Sequence, residues 1–286
     1  MNTTMIFNKI YVIQSLNEDE LQTGERIVNE CLKPAAEANK HGLWYSKVRD
    51  RASFFATMEE IWRQCARESP RTYPIIHLDT HGWGDKSGIS MRPTKEKVTW
   101  DEFSDYCRRI NNECHNNLLV VSGLCFGLHT ITAINMREPA PFLALIGPEE
   151  TVTAGEIETG FKGFYTTLLA DGDLDQAMRK LSPKFKLFLA DRLFMNAFAR
   201  YVRQSCKGDG RAERIERLLV EWMEKTAGQK LDEATARRIL EEYTRPDKAA
   251  FERFKTRFLQ SNHPDNHGRF DSLTFDVVMA AADRCE

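Results

Sequence analysis

The sequence predicts an α/β protein in which helices flank an open, mostly parallel sheet and an all-helical region follows at the C-terminus. Three observations support this fold class. Short apolar segments alternate with segments of helical periodicity over the first 182 residues. The apolar segments are continuous, which is typical of parallel strands that are buried on both faces. From about residue 183 onward, apolar residues recur at helical spacing instead.

Four strands and two well-defined helices are predicted in the first part of the chain. The strands are the segments 8–15, 72–85, 118–123 and 142–148, of which the second runs into a glycine-containing loop. Phe54, Met58, Ile61 and Cys65 share one face of a predicted helix. Thr99 and Glu102 have the spacing of a capping box and predict the start of another helix. Residues 87–100 are typical of a small hairpin.

Two units are therefore predicted. Residues 1–182 carry the alternating strands and helices, and residues 183–286 form a helical C-terminal region. At 286 residues, the chain is long enough for one larger domain with an accessory region.

Charge and cysteine content limit the classes of function. A formal net charge of −2 argues against a general polyanion binder, so we expect no direct nucleic-acid partner. No apolar run approaches the roughly eighteen residues of a membrane span, so no membrane partner is expected. The N-terminus lacks the features of a signal peptide. Seven scattered cysteines without a CxxC pair indicate free thiols in a reducing compartment, which predicts a cytoplasmic location. They are Cys31, Cys65, Cys107, Cys114, Cys125, Cys206 and Cys285.

A histidine and a cysteine follow two predicted strands at the same end. One strand runs into His81-Gly82, and the next runs into Cys125-Phe126-Gly127. Since sites in open parallel sheets form at the carboxyl ends of strands, we expect His81 and Cys125 to lie close together. A free thiol has a pKa of about 8.5, so a nearby imidazole is needed to activate it at neutral pH. The backbone N–H groups of Gly82 and Cys125 are candidates for the oxyanion hole.

This arrangement resembles the caspase-like cysteine peptidases, and in particular their CHAT branch. The stretch "FLALIGPEETVTAGEIETGFKGFYTTLLADGDLDQAMRKL" (142–181) is similar to the CHAT segment after the cysteine. The cysteine turn Ser122-Gly123-Leu124-Cys125 is one residue longer than the commoner Ser-Ala-Cys turn of that branch. The resemblance covers residues 8–181.

The resemblance implies a caspase-like fold, with Cys125 as nucleophile, His81 as base and the N–H groups of Gly82 and Cys125 as the oxyanion hole. It implies a cysteine endopeptidase that cleaves protein substrates. It also implies a role in bacterial defence, including antiviral defence, or in regulated cell death. Because an always-active protease endangers its own cell, we expect a regulatory protein or ligand to gate it through the helical C-terminal region.

Several side chains are candidates for substrate binding. Acidic groups in a pocket select arginine or lysine, because a buried charge requires a partner. Trp83, which follows the His-Gly, is a candidate to flank a substrate groove, and packing within its own loop is the open alternative. The acidic candidates are Asp79, Asp85, Glu149 and Glu156.

Two other functions remain open. The fold can serve as an interaction scaffold with a silent site. The other alternative is a metal-dependent hydrolase. His77, Asp79 and His81 alternate along HLDTH, so on a strand they would lie on one face and could form part of a metal site. His115 and His129 are candidates for further ligands. We favour the thiol mechanism, without metal or cofactor. The similarly spaced HPDNH (263–267) is rich in turn formers and predicts a turn between helices.

Overall fold

A computed structural model describes residues 6–225 and 232–284, apart from the side chain of Asp171. The chain forms nine strands, eleven α-helices and three short helical segments of other types within those residues. The strands are β1 (Lys9–Gln14), β2 (Gly42–Lys47), β3 (Pro74–Asp79), β4 (His81–Gly82), β5 (Gly88–Met91), β6 (Glu96–Thr99), β7 (Leu119–Gly123), β8 (Ala144–Pro148) and β9 (Phe185–Leu189). The helices are α1 (Thr23–Ile27), α2 (Lys33–Asn39), α3 (Arg51–Arg67), α4 (Trp100–Glu113), α5 (Ala154–Asp171), α6 (Leu174–Met178), α7 (Ala190–Ser205), α8 (Gly208–Lys225), α9 (Glu233–Tyr243), α10 (Lys248–Leu259) and α11 (Phe275–Arg284). A π-helical segment spans Val28–Leu32, and 3₁₀ helices span Gly127–Ala133 and Pro264–Asn266.

Six strands form the main sheet, in the order β2-β1-β3-β7-β8-β9. Each neighbouring pair from β2 to β8 is parallel, and only β9 runs antiparallel to its neighbour β8. The chain moves from β1 outward to β2 and then returns to the other side of β1 as β3. The strand order therefore reverses at β1, which is the point where ligand sites form in such sheets.

The predicted class, an α/β protein with a mostly parallel sheet flanked by helices, is confirmed. The predicted strands correspond to β1, β3, β7 and β8, and the hairpin to β5 and β6, which pair with β4 in a separate three-stranded sheet. The capping box also forms, since the hydroxyl of Thr99 accepts from the backbone of Glu102, whose carboxylate accepts from the N–H of Thr99.

Alternate residues of the central strands face two separate hydrophobic clusters. Ile10 and Val12 of β1 pack with α1 and α5 on one side of the sheet. Tyr11 and Ile13 pack with α3 and α4 on the other side. Because both faces are covered, the central strands are continuously apolar, as the sequence indicates.

The prediction that strands stop before residue 183 is wrong. Residues Phe185–Leu189 form β9, which pairs with β8 at the edge of the sheet. No turn residue separates this strand from α7, which starts at Ala190, so a strand and a helix merge into one apolar run. Strand β2 was also not predicted, because this edge strand is only partly buried and its segment GLWYSK lacks a clear apolar pattern.

Helices of the C-terminal region pack into the same hydrophobic cluster as the sheet. Phe194 of α7 stacks near Phe251 and Phe258 of α10, and α11 contributes Val278. The division at residues 182/183 stays a prediction, because shared packing does not show which part folds alone. Across residues 6–225 and 232–284, none of the helices has the length and apolar character required to span a membrane.

Candidate active site at the strand tips

A cavity of about 210 Å³ lies at the carboxyl ends of β1, β3 and β7, and we call it the strand-tip cavity. It contains the predicted pair, His81 and Cys125. The parallel pairing of β3 with β7 aligns Asp79 with Gly123, so each of the two functional residues lies two positions beyond its strand. The lining residues are Leu16, Glu20, Leu21, Thr23, Asp79, Thr80, His81, Leu124, Cys125, Val152, Ala154 and Ile157.

Gly82 brings the histidine segment into backbone contact with the cysteine turn. A Cβ atom placed on Gly82 would lie 1.9 Å from the carbonyl oxygen of Cys125, where no side chain fits. Strand β4 is anchored on its other side by antiparallel pairing of His81 with Ser90 and of Gly82 with Ile89. The glycine therefore permits the close approach of the two segments.

The thiol of Cys125 is half-buried and contacts the main chain of Val152. The N–H of Val152 lies 3.4 Å from Sγ, and the thiol can donate to the carbonyl oxygen of Val152 at 3.7 Å. In the longer turn, Leu124 takes the fully buried position and Cys125 faces the cavity.

Glu20 contacts His81 and was not identified as a functional residue from the sequence. Its Oε1 lies 2.9 Å from Nε2 of His81 and 3.2 Å from Arg92, while its Oε2 accepts from the N–H of Asn17 at 2.7 Å. A carboxylate beside Nε2 favours the tautomer that carries its proton there, which leaves Nδ1 as the basic nitrogen. Burial opposes the charged form, but the contacts with Asn17, Arg92 and His81 lower the pKa of Glu20. The sequence contained no signal for this role, since Glu20 belongs to a short acidic run at 18–20 with no motif that points to His81.

Asp79 is buried at the base of the cavity and anchors the start of α1. Its two carboxylate oxygens accept from the hydroxyl of Thr23 at 2.6 Å and from the N–H of Gly24 at 2.5 Å. Burial raises the pKa of Asp79 to about 6. The two hydrogen bonds act in the opposite direction, and the negative charge of nearby Glu20 acts in the same direction as burial. At neutral pH, the cavity therefore has a carboxylate at its base and a second one, Glu20, beside His81.

Among the described residues, 6–225 and 232–284, the other substrate-binding candidates lie outside the cavity lining. Asp85 accepts from the N–H of Ser87 and pairs with Lys97, whose ammonium also lies over the ring of Trp83. Glu156 caps α5 and pairs with Lys184 at 3.0 Å. Glu149 is exposed. Of the acidic candidates, Asp79 alone shares the cavity with the histidine and the cysteine.

The three HLDTH side chains do not converge on one point. His77 is fully buried, with Nδ1 3.0 Å from the hydroxyl of Tyr165, and burial lowers its pKa to about 3. The chain turns after Asp79, so His81 belongs to the separate β4 sheet and leaves the face that His77 and Asp79 share. Within the described ranges, these donor atoms form no metal-ligand group, which removes the geometric basis of the metal-hydrolase alternative.

Exposure distinguishes Cys125 from most other thiols of the chain. Only Cys31 and Cys125 are partly exposed among the six cysteines that the structure describes, and burial raises the pKa of Cys31. The buried ones are Cys65, Cys107, Cys114 and Cys206. The remaining one, Cys285, lies outside the described residues.

Fold and site together define an α/β protein with a cysteine–histidine pair at the tips of neighbouring parallel strands. Comparison of the sequence with protein-family models gives no match, and comparison with curated proteins gives none either.

Proposed function

We propose that this chain is a cysteine endopeptidase of the caspase-like type, with Cys125 as nucleophile and His81 as base. The observation that supports it best is the shared strand-tip cavity, in which the two residues extend from neighbouring strands and Gly82 contacts the Cys125 carbonyl. A free thiol, a histidine and a carboxylate in one small cleft are the parts that nucleophilic acyl transfer requires.

The proposed reaction proceeds in two steps. Nδ1 of His81 takes the thiol proton, and Sγ of Cys125 attacks the carbonyl carbon of the scissile peptide bond. The resulting oxyanion is held by the N–H groups of Gly82 and Cys125. His81 then protonates the leaving amine, and a thioester remains on Cys125. In the second step, water hydrolyses this thioester and the thiol is restored.

The cavity supports a preference for a basic substrate side chain. Its volume of about 210 Å³ is below the roughly 300 Å³ of the smallest typical ligand pockets, so it suits a single side chain. Asp79 at its base is negatively charged at neutral pH, since its pKa is raised only to about 6. The apolar walls, which include Leu16 and Ile157, suit the methylene stem of lysine or arginine.

The contact between Cys125 and Val152 suggests a latent state. The main chain of Val152 both donates to and accepts from the thiol, and Val152 lies two residues before the start of α5. A shift of the segment 149–153 would release Sγ toward a substrate. We therefore include gating by a partner or ligand in the proposal.

The test is alkylation by peptide electrophiles followed by intact-mass analysis and peptide mapping. The panel presents arginine, lysine, aspartate, leucine or methionine at the reactive position. We expect a single adduct on Cys125, with a preference for arginine or lysine, and a strong decrease in His81→Ala. Cys31 is the internal control, because it is the other partly exposed thiol of the described chain.

The controls separate a catalytic pair from a merely accessible thiol. Equal labelling of Cys31 and Cys125 by every probe, or labelling of Cys125 that is unchanged in His81→Ala, would contradict the proposal. His129→Ala serves as the matched histidine variant, since His129 lies near the cysteine turn against Phe126 but not in the cavity lining. Alkylation of His129→Ala should match that of the unmodified chain.

A further inference from the structure

A second cluster of titratable groups lies at the opposite edge of the sheet. His115 precedes β7, Arg71 and Tyr73 precede β3, and His263 and Asp265 belong to the turn after α10. One ligand atom from each of His115, His263 and Asp265 lies within 4.8 Å of the others. Because these residues are at the amino ends of the strands, the cluster is separate from the strand-tip cavity at the carboxyl ends.

The distances within the cluster suit a small ion. Nδ1 of His115 lies 3.0 Å from Oδ2 of Asp265, and Nδ1 of His263 lies 3.9 Å from the same oxygen. Zinc–ligand distances of about 2.0–2.2 Å place two ligands of a tetrahedral ion about 3.3 Å apart. The two observed separations bracket this value, so small side-chain rotations would complete the geometry.

The ligand atoms carry the lone pairs that a metal ion requires. The N–H of Asp265 donates to Nδ1 of His263 at 3.2 Å, so that nitrogen is an acceptor. Nη1 of Arg71 lies 2.5 Å from Nδ1 of His115 and 2.6 Å from Oδ2 of Asp265, and a guanidinium can only donate.

The main chain around the cluster is held by further hydrogen bonds. The side-chain amide of buried Asn266 donates to the carbonyl of His115 at 2.9 Å and to that of Gln260 at 3.0 Å. Arg269 donates to Asn117 at 2.7 Å. These contacts fix the turn at 263–269 against the loop before β7, so the ligands are positioned before any ion binds.

Arg71 occupies the place of a cation between two of the ligands. Its side chain is 41% exposed, so it can move into solvent without leaving a buried charge behind. Once it has moved, two imidazoles and a carboxylate share one partly open pocket, and water can complete the coordination. Such a set of nitrogen and oxygen donors favours Zn²⁺ and its neighbours among the divalent transition metals.

We propose that His115, His263 and Asp265 form a binding site for a divalent transition-metal ion of the zinc class, which displaces Arg71 when it binds. The ion would link the C-terminal segment to the loop before β7. This proposal is independent of the peptidase proposal, because it uses none of the residues of the strand-tip cavity.

The test is a Zn²⁺ titration of the full chain, produced without a polyhistidine tag and stripped with a chelator. Competition with a chromophoric chelator gives affinity and stoichiometry, and Co²⁺ absorption reports the coordination geometry. Cys125→Ser is used throughout as the background, so that the cavity thiol contributes nothing. We expect one saturable equivalent per chain.

Three variants are expected to differ in their affinity for Zn²⁺. His263→Ala should weaken the site by more than the roughly 10–100-fold that loss of an outer-shell partner costs, because it removes a ligand. His267→Ala, at an exposed histidine four residues further on, should leave affinity unchanged. Arg71→Ala should bind Zn²⁺ about 30-fold more tightly, as expected for removal of one positive charge about 4 Å from a divalent ion in a water-like dielectric.

Two results would overturn the proposal. One is equal Zn²⁺ binding by His263→Ala and the Cys125→Ser background. The other is no saturable binding by either the background or Arg71→Ala. Asp265→Asn, which preserves side-chain size, gives a second ligand variant if His263→Ala does not fold, and circular dichroism establishes folding for each protein.

Discussion

Replacement of Gly82 by alanine tests the contact that brings the two halves of the proposed site together. Gly82 is in β4, paired with Ile89, and its missing side chain leaves room for the carbonyl oxygen of Cys125. The new methyl would meet a backbone atom, which cannot rotate away as the end of a flexible side chain can.

The required movement follows from the distances. The Cβ introduced by Gly82→Ala would start 1.9 Å from the carbonyl oxygen, and contacts below 3.0 Å are essentially never seen for real Cβ atoms. The two backbones must therefore separate by about 1.1 Å, the difference between these values. Overpacking of this kind costs about 1–3 kcal/mol of unfolding free energy. A displacement of about 1 Å between reacting groups lowers a catalysed rate by about 100-fold.

Urea unfolding and the alkylation rate of Cys125 measure the two consequences separately. Gly84→Ala is the matched control, because a Cβ at Gly84 meets nothing within 4 Å. We expect Gly82→Ala to lose both stability and alkylation rate, and Gly84→Ala to retain both. Unchanged stability and rate in Gly82→Ala would refute the reasoning, since the two segments could not then lie in contact.

Three further changes test other parts of the site. Asp79→Asn should remove a pH dependence of the unfolding free energy. The pKa of Asp79 is raised to about 6 in the folded chain from about 3.9 in the unfolded chain, so the unfolding free energy of the wild type falls by about 3 kcal/mol as pH rises from about 4 to 6. Urea unfolding at a series of pH values should show that this fall is absent from the variant. Glu20→Gln should lower Cys125 alkylation by about two- to fivefold, the range for a partly exposed ion pair, whereas Glu18→Gln, at an exposed position, should not; equal rates in both variants would exclude an orienting role for Glu20. Leu124→Ala should cost about 2–5 kcal/mol in urea unfolding, because Leu124 is fully buried, and a cost below about 1 kcal/mol would mean that this position is not the core residue of the turn.

Much of the fold was predictable because both faces of the sheet are covered. The strands β1, β3, β7 and β8 are buried throughout most of their length, so their apolar runs are continuous and easily recognised. The two missed strands are at the sheet edges. β2 is only partly buried and lacks an apolar pattern, and β9 runs without a break into α7. Edge strands contact fewer neighbours, so their sequences are less restricted.

The pair His81 and Cys125 was predictable from topology, since the carboxyl ends of neighbouring parallel strands meet at one edge. Glu20 was not, because its contact with His81 depends on how the loop after β1 folds back, and no periodicity encodes that path. The cluster around His263 was missed for a similar reason. HPDNH does form the predicted turn, but His263 and Asp265 come close to His115 only in the folded chain.

The five residues HLDTH illustrate why alternation along a sequence is an incomplete guide to a site. His77, Asp79 and His81 would share one face if the strand continued, yet β3 ends at Asp79 and β4 belongs to another sheet. The first two positions remain buried, where His77 contacts Tyr165 and Asp79 holds the start of α1. The strand change after Asp79 turns His81 away from that face, so that Asp79 lies buried at the base of the cavity and His81 is partly exposed in its wall. A residue at a strand tip is therefore available for chemistry because the sheet ends there, and the regular pattern before it reflects packing.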